Sequence, residues 1–215
     1  MIIMAIEIVI ADDHELMREG LKQIFAFSNN NIQVTGEACN GSEVIEILRV
    51  VTPDILLLDI SMPGISGEDL IRRIHCHHPK LPILVLSMFN EPQIARRILN
   101  SGALGYITKD RSPEILLKAI NNVAKGIRFI DHELAQDIIF AEYYHGNQAP
   151  HEKLTMRERQ IMIMLAHGET INAIANTLSI SNKTVSTYKS RMMEKMQFST
   201  NAEIVKYSLT YKLVQ

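Results

Sequence analysis

The chain has 215 residues, 47% of them hydrophobic and 21% charged, enough apolar material for one large core or two small ones and too much for a disordered polypeptide. No apolar run approaches the ~20 residues a membrane-spanning helix requires, and Met1-Ile2-Ile3-Met4 lacks the basic segment and small-residue cleavage site of a signal peptide, so a cytoplasmic protein is expected. The net charge of −2 hides an asymmetry: residues 151–215 carry nine Lys/Arg against five Asp/Glu and residues 1–150 thirteen against nineteen, which suggests a metal or regulatory site first and an anionic partner second.

In chain order, strands are expected at 7–11, 33–38, 54–58, 83–86 and 104–108, and all but the second carry an apolar run of the kind buried on both faces of a parallel sheet. Helical patterns fall between and after them, at 15–26, 42–50, 67–76, 92–100 and 113–124. Pro92 and Pro113 suit first-turn positions, where the missing N–H is no loss. Five βα units in this order predict an α/β fold with a doubly wound, five-stranded parallel sheet over residues 1–125. Gly126 then stops a helix, residues 132–144 read as one more short helix, and His145-Gly146-Asn147-Gln148-Ala149-Pro150 reads as a tether, so 126–150 is expected to be a linker. Residues 151–215 show only helices and form a second, all-α domain.

Five polar residues mark the C-terminal ends of the apolar runs: Asp12 and Asp13 after the first, Asp59 after the third, Ser87 after the fourth and Lys109 after the fifth. Sites in open α/β sheets form in the crevice at those strand ends, so three carboxylates, a hydroxyl and an ammonium should converge. An acidic pair alone is as well explained by helix capping near His14; four separate strand ends carrying complementary groups are not. Crowded carboxylates call for a divalent cation, and an oxygen-only ligand set favours Mg²⁺. A carboxylate nucleophile can form an aspartyl-phosphate, whose oxygens Lys109, the Ser87 hydroxyl and the cation can stabilise.

At these residues the chain closely resembles the receiver domain of bacterial response regulators, a flavodoxin-like fold. The matching features are the acidic pair, Asp59-Ile60-Ser61-Met62-Pro63-Gly64, Ser87, Ser101-Gly102-Ala103 and Lys109. The resemblance implies that Asp59 is phosphorylated and that Asp13 and Asp59 bind Mg²⁺ directly. Asp12 would act mostly through water, and the backbone carbonyl of Ser61 would add a ligand. Ser87 and Tyr106 become a switch pair, the hydroxyl moving toward the phosphoryl group and the ring following inward. The family often has Pro after the lysine, where this chain has Asp110. Phosphatases that pass through an aspartyl-phosphate carry a second acidic residue at the position of Ser61; without it, a persistent phosphorylated switch with at most slow self-dephosphorylation is expected rather than an enzyme.

In the second domain, Thr155 and Glu158 have capping-box spacing, His167-Gly168 ends a helix, and a short helix at 172–177 leads through Leu178-Ser179-Ile180 to Ser181, an N-cap candidate. A long helix follows from Asn182 to about Gln197. Two helices joined by a tight turn, the second one basic, form a helix-turn-helix pattern. Helical spacing puts Val185, Tyr188, Met192 and Met196 on the packed stripe. Lys183, Ser186, Thr187 and Ser190 lie opposite, Thr184 and Arg191 on one shoulder, and Lys189 nearer the packed side. No acid interrupts the free face for two and a half turns, which suits a major groove. A last helix is expected at 201–213.

Residues 154–211 resemble the LuxR-type four-helix domain through Leu154-Thr155-x-Arg157-Glu158, Gly168, Ile174-Ala175, Leu178-x-Ile180-Ser181 and Thr184-Val185. The whole chain therefore resembles the NarL/FixJ response regulators, most of all the branch controlling virulence and global regulation. That implies a sensor histidine kinase, double-stranded promoter DNA and a second copy of the phosphorylated chain as partners, and admits RNA polymerase. The other reading is a receiver that works by protein contact without DNA. His75, Cys76, His77 and His78 precede Pro79 with adjacent side chains pointing apart, so no zinc site is expected, and Cys39 and Cys76 form no disulfide framework.

Overall fold

The structure is a computed structural model describing residues 5–28, 31–65, 67–144, 149–211 and 213–214. The chain divides into two compact units, residues 1–144 and 145–215. Of the expected tether, residues 145–148 lie outside the described residues, as do residues 1–4.

Unit 1 alternates β1 (Ile6–Ala11), α1 (Glu15–Phe27), β2 (Ile32–Ala38), α2 (Gly41–Ile47), β3 (Ile55–Asp59), α3 (Gly67–His77), β4 (Ile83–Ser87), α4 (Pro92–Asn100), β5 (Gly105–Thr108) and α5 (Pro113–Ala124), then β6 (Phe129–Ile130) and α6 (His132–Tyr144). All strand pairs are parallel, in the order β2-β1-β3-β4-β5-β6. The five strands read from the sequence are joined at one edge by β6, whose two residues pair as Gly105 with Phe129 and Tyr106 with Ile130. Two residues carry no periodicity, so only the β5 edge, with its open hydrogen-bonding groups, defines this strand. Pro92 and Pro113 begin α4 and α5 as expected, whereas α2 is shorter than its apolar pattern and ends at Ile47.

The period-2 alternation of the strands sorts the core into two layers. Ile8, Ile10, Ile55, Leu57, Leu84, Leu86 and Ile107 pack with Leu21 and Phe25 of α1 and Leu116, Ile120 and Val123 of α5. Val9, Leu56, Leu58 and Val85 are buried on the other face, where α2, α3 and α4 turn Val44, Leu70, Ile71, Ile74, Ile94 and Ile98 inward. β5 starts on Gly105 because α5 approaches closely: a Cβ there would stand 2.8 Å from both Leu84 and Val123 side chains. The strand order reverses direction between β1 and β3, which opens a crevice at their C-terminal ends, where the acidic residues stand.

Among its described residues, unit 2 has a 3₁₀ turn at Pro150–Lys153 and four helices, α7 (Met156–Ala166), α8 (Ile171–Thr177), α9 (Asn182–Met196) and α10 (Asn201–Thr210). Local chemistry sets their starts. Thr155 and Glu158 make the expected capping box, Ser181 accepts the Thr184 N–H at 3.1 Å, and Thr200 with Glu203 caps α10. Gln197, in the left-handed conformation, ends α9, and Ser179 at φ 52° makes the turn between α8 and α9. Two small apolar clusters hold the bundle, one around Leu154, Met162, Met192, Met196 and Ile204, the other around Ile161, Ile174, Leu178 and Val185. An ion pair joins α7 to α9: the buried Glu158, 2% exposed, takes Nζ of the exposed Lys195 at 2.7 Å.

Candidate functional site

The crevice in unit 1 brings together residues from four strands. Asp12 and Asp59 are 1% and 2% exposed, and the Lys109 ammonium binds both, at 2.6 Å to Asp12 Oδ2 and 2.9 Å to Asp59 Oδ2. Lys109 reaches them because its backbone continues the β4–β5 ladder, its N–H donating to Ser87 O at 2.8 Å. The second oxygen of each carboxylate is held by the backbone: Asp59 Oδ1 accepts the Ser61 N–H at 2.9 Å, and Asp12 Oδ1 accepts the His14 N–H at 2.9 Å. Burial pushes the Asp59 carboxyl above its ordinary value, and the Lys109 ammonium opposes that rise. Burial works the other way on Lys109, but its two carboxylates outweigh it and raise its affinity for the proton. The site therefore holds a fixed cation against two fixed anions in a water-poor setting, the preorganisation that transfer of a charged group exploits.

Asp13 points outward, its side chain 32% exposed, and makes the solvent-facing wall. Asp12, Asp13, His14 and Asp59 each offer one ligand atom, and these atoms lie within 4.8 Å of one another, the only such group among the described residues. The three carboxylates fit a hard divalent cation: with one ammonium among them they keep a surplus of negative charge, and the most exposed member leaves room for water ligands. His14 is the member that reading the sequence overlooked. Its Nδ1 lies 3.0 Å from Asp13 Oδ1 and 3.3 Å from Asp12 Oδ1, and its adjacency to the acidic pair was the available signal. As N-cap of α1 it makes no side-chain cap bond.

Ser87 and Tyr106 stand on neighbouring strands beside this pocket. Ser87 Oγ accepts the Phe89 N–H at 3.0 Å, and the Tyr106 hydroxyl donates to Phe89 O at 2.7 Å. The ring of Tyr106 is fully buried, and burial raises the pKa of its phenol. The aromatic member of the pair thus already lies inside, and Phe89 joins the two, a link no spacing in the sequence announced.

In unit 2 the free face of α9 matches the helical-wheel expectation. Lys183, Ser186, Thr187, Ser190 and Arg191 are exposed, Thr184 and Lys189 half-buried, and Val185, Met192 and Met196 buried. Two hydroxyls on this face already have partners: Thr184 Oγ1 lies 2.8 Å from Ser181 Oγ, and Thr187 Oγ1 donates to Lys183 O at 2.9 Å. The helix presents cations and hydroxyls without an acid until Glu194. His75, Cys76 and His77 are exposed on α3 or at its end, His78 is half-buried just beyond it, and both cysteines are free thiols.

An acidic pocket at the switch point of a parallel sheet, followed by a helix-turn-helix bundle, has the two-domain architecture of a DNA-binding response regulator. The family model for the response regulator receiver domain matches residues 8–121, and that for bacterial regulatory proteins of the luxR family matches residues 152–208. The chain belongs to the response regulators of the NarL/FixJ family, in which a receiver domain precedes a LuxR-type DNA-binding domain. It is 31% identical over 209 residues to the response regulator GacA of Pseudomonas protegens, covering 97% of this chain and 98% of that protein. Against the response regulator UvrY of Escherichia coli K12 it is 32% identical over 209 residues, covering 97% and 95%. Among solved structures it is similar to RcsB of Salmonella enterica serovar Typhimurium bound to promoter P1flhDC in the presence of phosphomimetic BeF₃⁻, with TM-score 0.65 and 27% identity over 95% of this chain and 98% of that one. A structure of two RcsB dimers bound to two parallel DNAs matches with TM-score 0.61 at 27% identity, covering 95% and 98%. Proteins that join these two domains are transcription factors rather than enzymes in the ordinary sense, and receiver domains generally bind Mg²⁺ at this acidic pocket. No helix among the described residues is long and apolar enough to cross a membrane.

Proposed function

We propose that Asp59 accepts a phosphoryl group from a sensor histidine kinase in the cytoplasm, and that the modification drives dimerisation and sequence-specific binding of α9 to promoter DNA. The observation that carries this reading is the buried Lys109 ammonium, bonded at once to Asp12 and to Asp59 at the ends of two neighbouring strands. An Asp59 carboxylate oxygen attacks the phosphorus of a phosphohistidine; the O–P bond forms as the N–P bond breaks, and the imidazole leaves. Asp13 and Asp59 would hold Mg²⁺ directly, with Asp12 acting through water and the Ser61 carbonyl adding a ligand. When bound, the ion supplies neutralisation of the clustered negative charge. Lys109 holds Asp59 Oδ2 before transfer and is placed to hold a phosphoryl oxygen afterwards. Ser87 can turn toward that group only by giving up the Phe89 N–H, so its movement releases the segment that also accepts from Tyr106. With Ser61 where an acid/base group would stand in a phosphatase, hydrolysis is slow and the phosphorylated state persists.

On DNA, Lys183, Lys189 and Arg191 supply phosphate contacts, Ser186, Thr187 and Ser190 face the bases, and Thr184 lies on the shoulder of that surface. With few cations on that face, one domain binds weakly, and two domains on paired half-sites about one helical turn apart provide useful affinity. Incubation with acetyl phosphate and Mg²⁺ should label the wild-type chain, and Asp59→Asn should abolish the label while leaving the fold intact. Acid-labile phosphate on the Asn variant at the wild-type level would overturn the assignment. Binding to duplex DNA should weaken steeply with salt; no salt-dependent binding would favour a role through protein contact.

A further inference from the structure

We infer that Arg111 is a positioning residue that carries the state of the Lys109 turn to α6, the last helix of unit 1 before the chain enters the DNA-binding unit. The inference rests on the reading of Asp59 as the phosphorylated residue. It starts where this chain departs from the family pattern, at the residue after the lysine. Asp110 accepts a hydrogen bond from Thr108 Oγ1, and the Arg111 N–H donates to Thr108 O at 3.3 Å. These bonds close a tight turn, with Lys109 facing Asp12 and Asp59 and Arg111 leaving on the far side.

The Arg111 guanidinium then reaches 20 residues along the chain. Its Nε lies 3.1 Å from Asp131 Oδ2, and its Nη2 lies 3.2 Å from Asp131 Oδ1 and 2.9 Å from Glu133 Oε2. Asp131 is 9% exposed and also organises the backbone beyond it. Its Oδ1 accepts the Glu133 N–H at 3.0 Å, and its carbonyl accepts the Ala135 N–H at 2.9 Å. It therefore fixes the first turn of α6 while holding Arg111. One hydrogen bond and a close charge contact to the buried Asp131, with a second hydrogen bond to Glu133, fasten the guanidinium, so displacement of the turn displaces the helix start.

α6 receives a second input. It packs on α4, the helix entered through the Ser87–Phe89 segment. Both loops that must respond to a phosphoryl group on Asp59, the one after β4 and the one after β5, therefore end on this same helix. The sequence of α6 alone could not reveal this; the β6 pairing and the Arg111 bridge place it.

The test uses the full-length chain with acetyl phosphate and Mg²⁺. Labelling is read by phosphate-affinity electrophoresis and backbone amide exchange over residues 132–144 by mass spectrometry. In the wild type, labelling should change exchange in α6. Arg111→Ala and Asp131→Asn, the latter keeping an oxygen that can cap the helix, should label to the wild-type level but shrink the phosphorylation-dependent change in α6 by about fivefold, the factor expected for losing one well-placed ion pair. The double variant should lose no more than either single one, and Arg111→Lys should restore part of the response. A pair that merely stabilises α6 would raise exchange equally in both states and leave their difference intact; that result overturns the inference. Labelling of the wild type without any change in α6 overturns it as well, while leaving Asp59 as the acceptor. Absence of labelling in the wild type overturns both.

Discussion

The two units place their functional groups in opposite environments. In unit 1, Asp12, Asp59 and Ser87 are buried, come from three different strands, and are held by bonds that leave each little freedom. In unit 2, Lys183, Ser186, Ser190 and Arg191 lie on one exposed helix face and owe their arrangement to helical periodicity alone. Transfer of a charged group profits from fixed charges in a water-poor pocket, whereas recognition of a polyanion needs cations and hydroxyls that the partner can reach. Unit 2 does bury one charge, the Glu158 carboxylate paired with the exposed Lys195, but that pair fastens α7 to α9 and lies away from the free face. Substitutions at the first site should therefore disturb stability and chemistry together, and substitutions on α9 should change binding with the fold untouched.

The harshest test of that contrast is Lys109→Ala. It leaves two buried carboxylates facing each other without their cation and should cost unit 1 about 3–5 kcal/mol. Urea denaturation should show this as an early unit 1 transition, partly restored by Mg²⁺ and with the unit 2 transition unmoved. The variant should still bind the metal, while phosphorylation no longer promotes DNA binding. An unshifted unit 1 transition would mean that the pocket is wetter than its burial indicates.

Ser87→Ala removes one hydrogen bond to a charged phosphoryl group, worth about 1.5–3 kcal/mol. Labelling should be preserved, and the gain in DNA affinity on phosphorylation should drop by roughly tenfold or more in a gel-shift titration, consistent with a loss of that size. A full response would move the switch to another residue.

Asp59→Asn should have the opposite sign on stability. Burial raises the Asp59 carboxyl above its ordinary value, so its ionised form costs folding energy at neutral pH. Removing the charge should stabilise unit 1, read as a higher urea midpoint. A lower midpoint would show that the bond to Lys109 outweighs burial.

The smallest stability effect is expected on α9. Lys183→Ala and Arg191→Ala should each change unfolding by no more than about 0.5 kcal/mol. Each should nevertheless lower DNA affinity and reduce the salt slope by roughly 0.9 if it removes a phosphate contact. The isolated fragment 151–215 sharpens the comparison further: it should bind DNA much more weakly than the phosphorylated full-length chain. Tight binding of the monomeric fragment to a single half-site would rule out dimerisation as the source of affinity.

Much of this was legible in the chain itself. Continuous aliphatic runs ending in Asp12-Asp13, Asp59, Ser87 and Lys109 announce both the parallel strands and the edge where their polar ends meet, because side chains at strand termini must share one crevice. The cap at Thr155, the cap at Ser181 and the acid-free face of α9 follow from interactions within a few residues. Tertiary structure alone decided the remainder. It made a strand of Phe129–Ile130, brought His14 into the acidic group, linked Ser87 to Tyr106 through Phe89, joined Arg111 to Asp131 and buried Glu158 against Lys195. Each of these depends on which groups stand opposite one another once the layers have packed, and hydrophobic periodicity, a property of one segment at a time, carries no information about the neighbour across the gap.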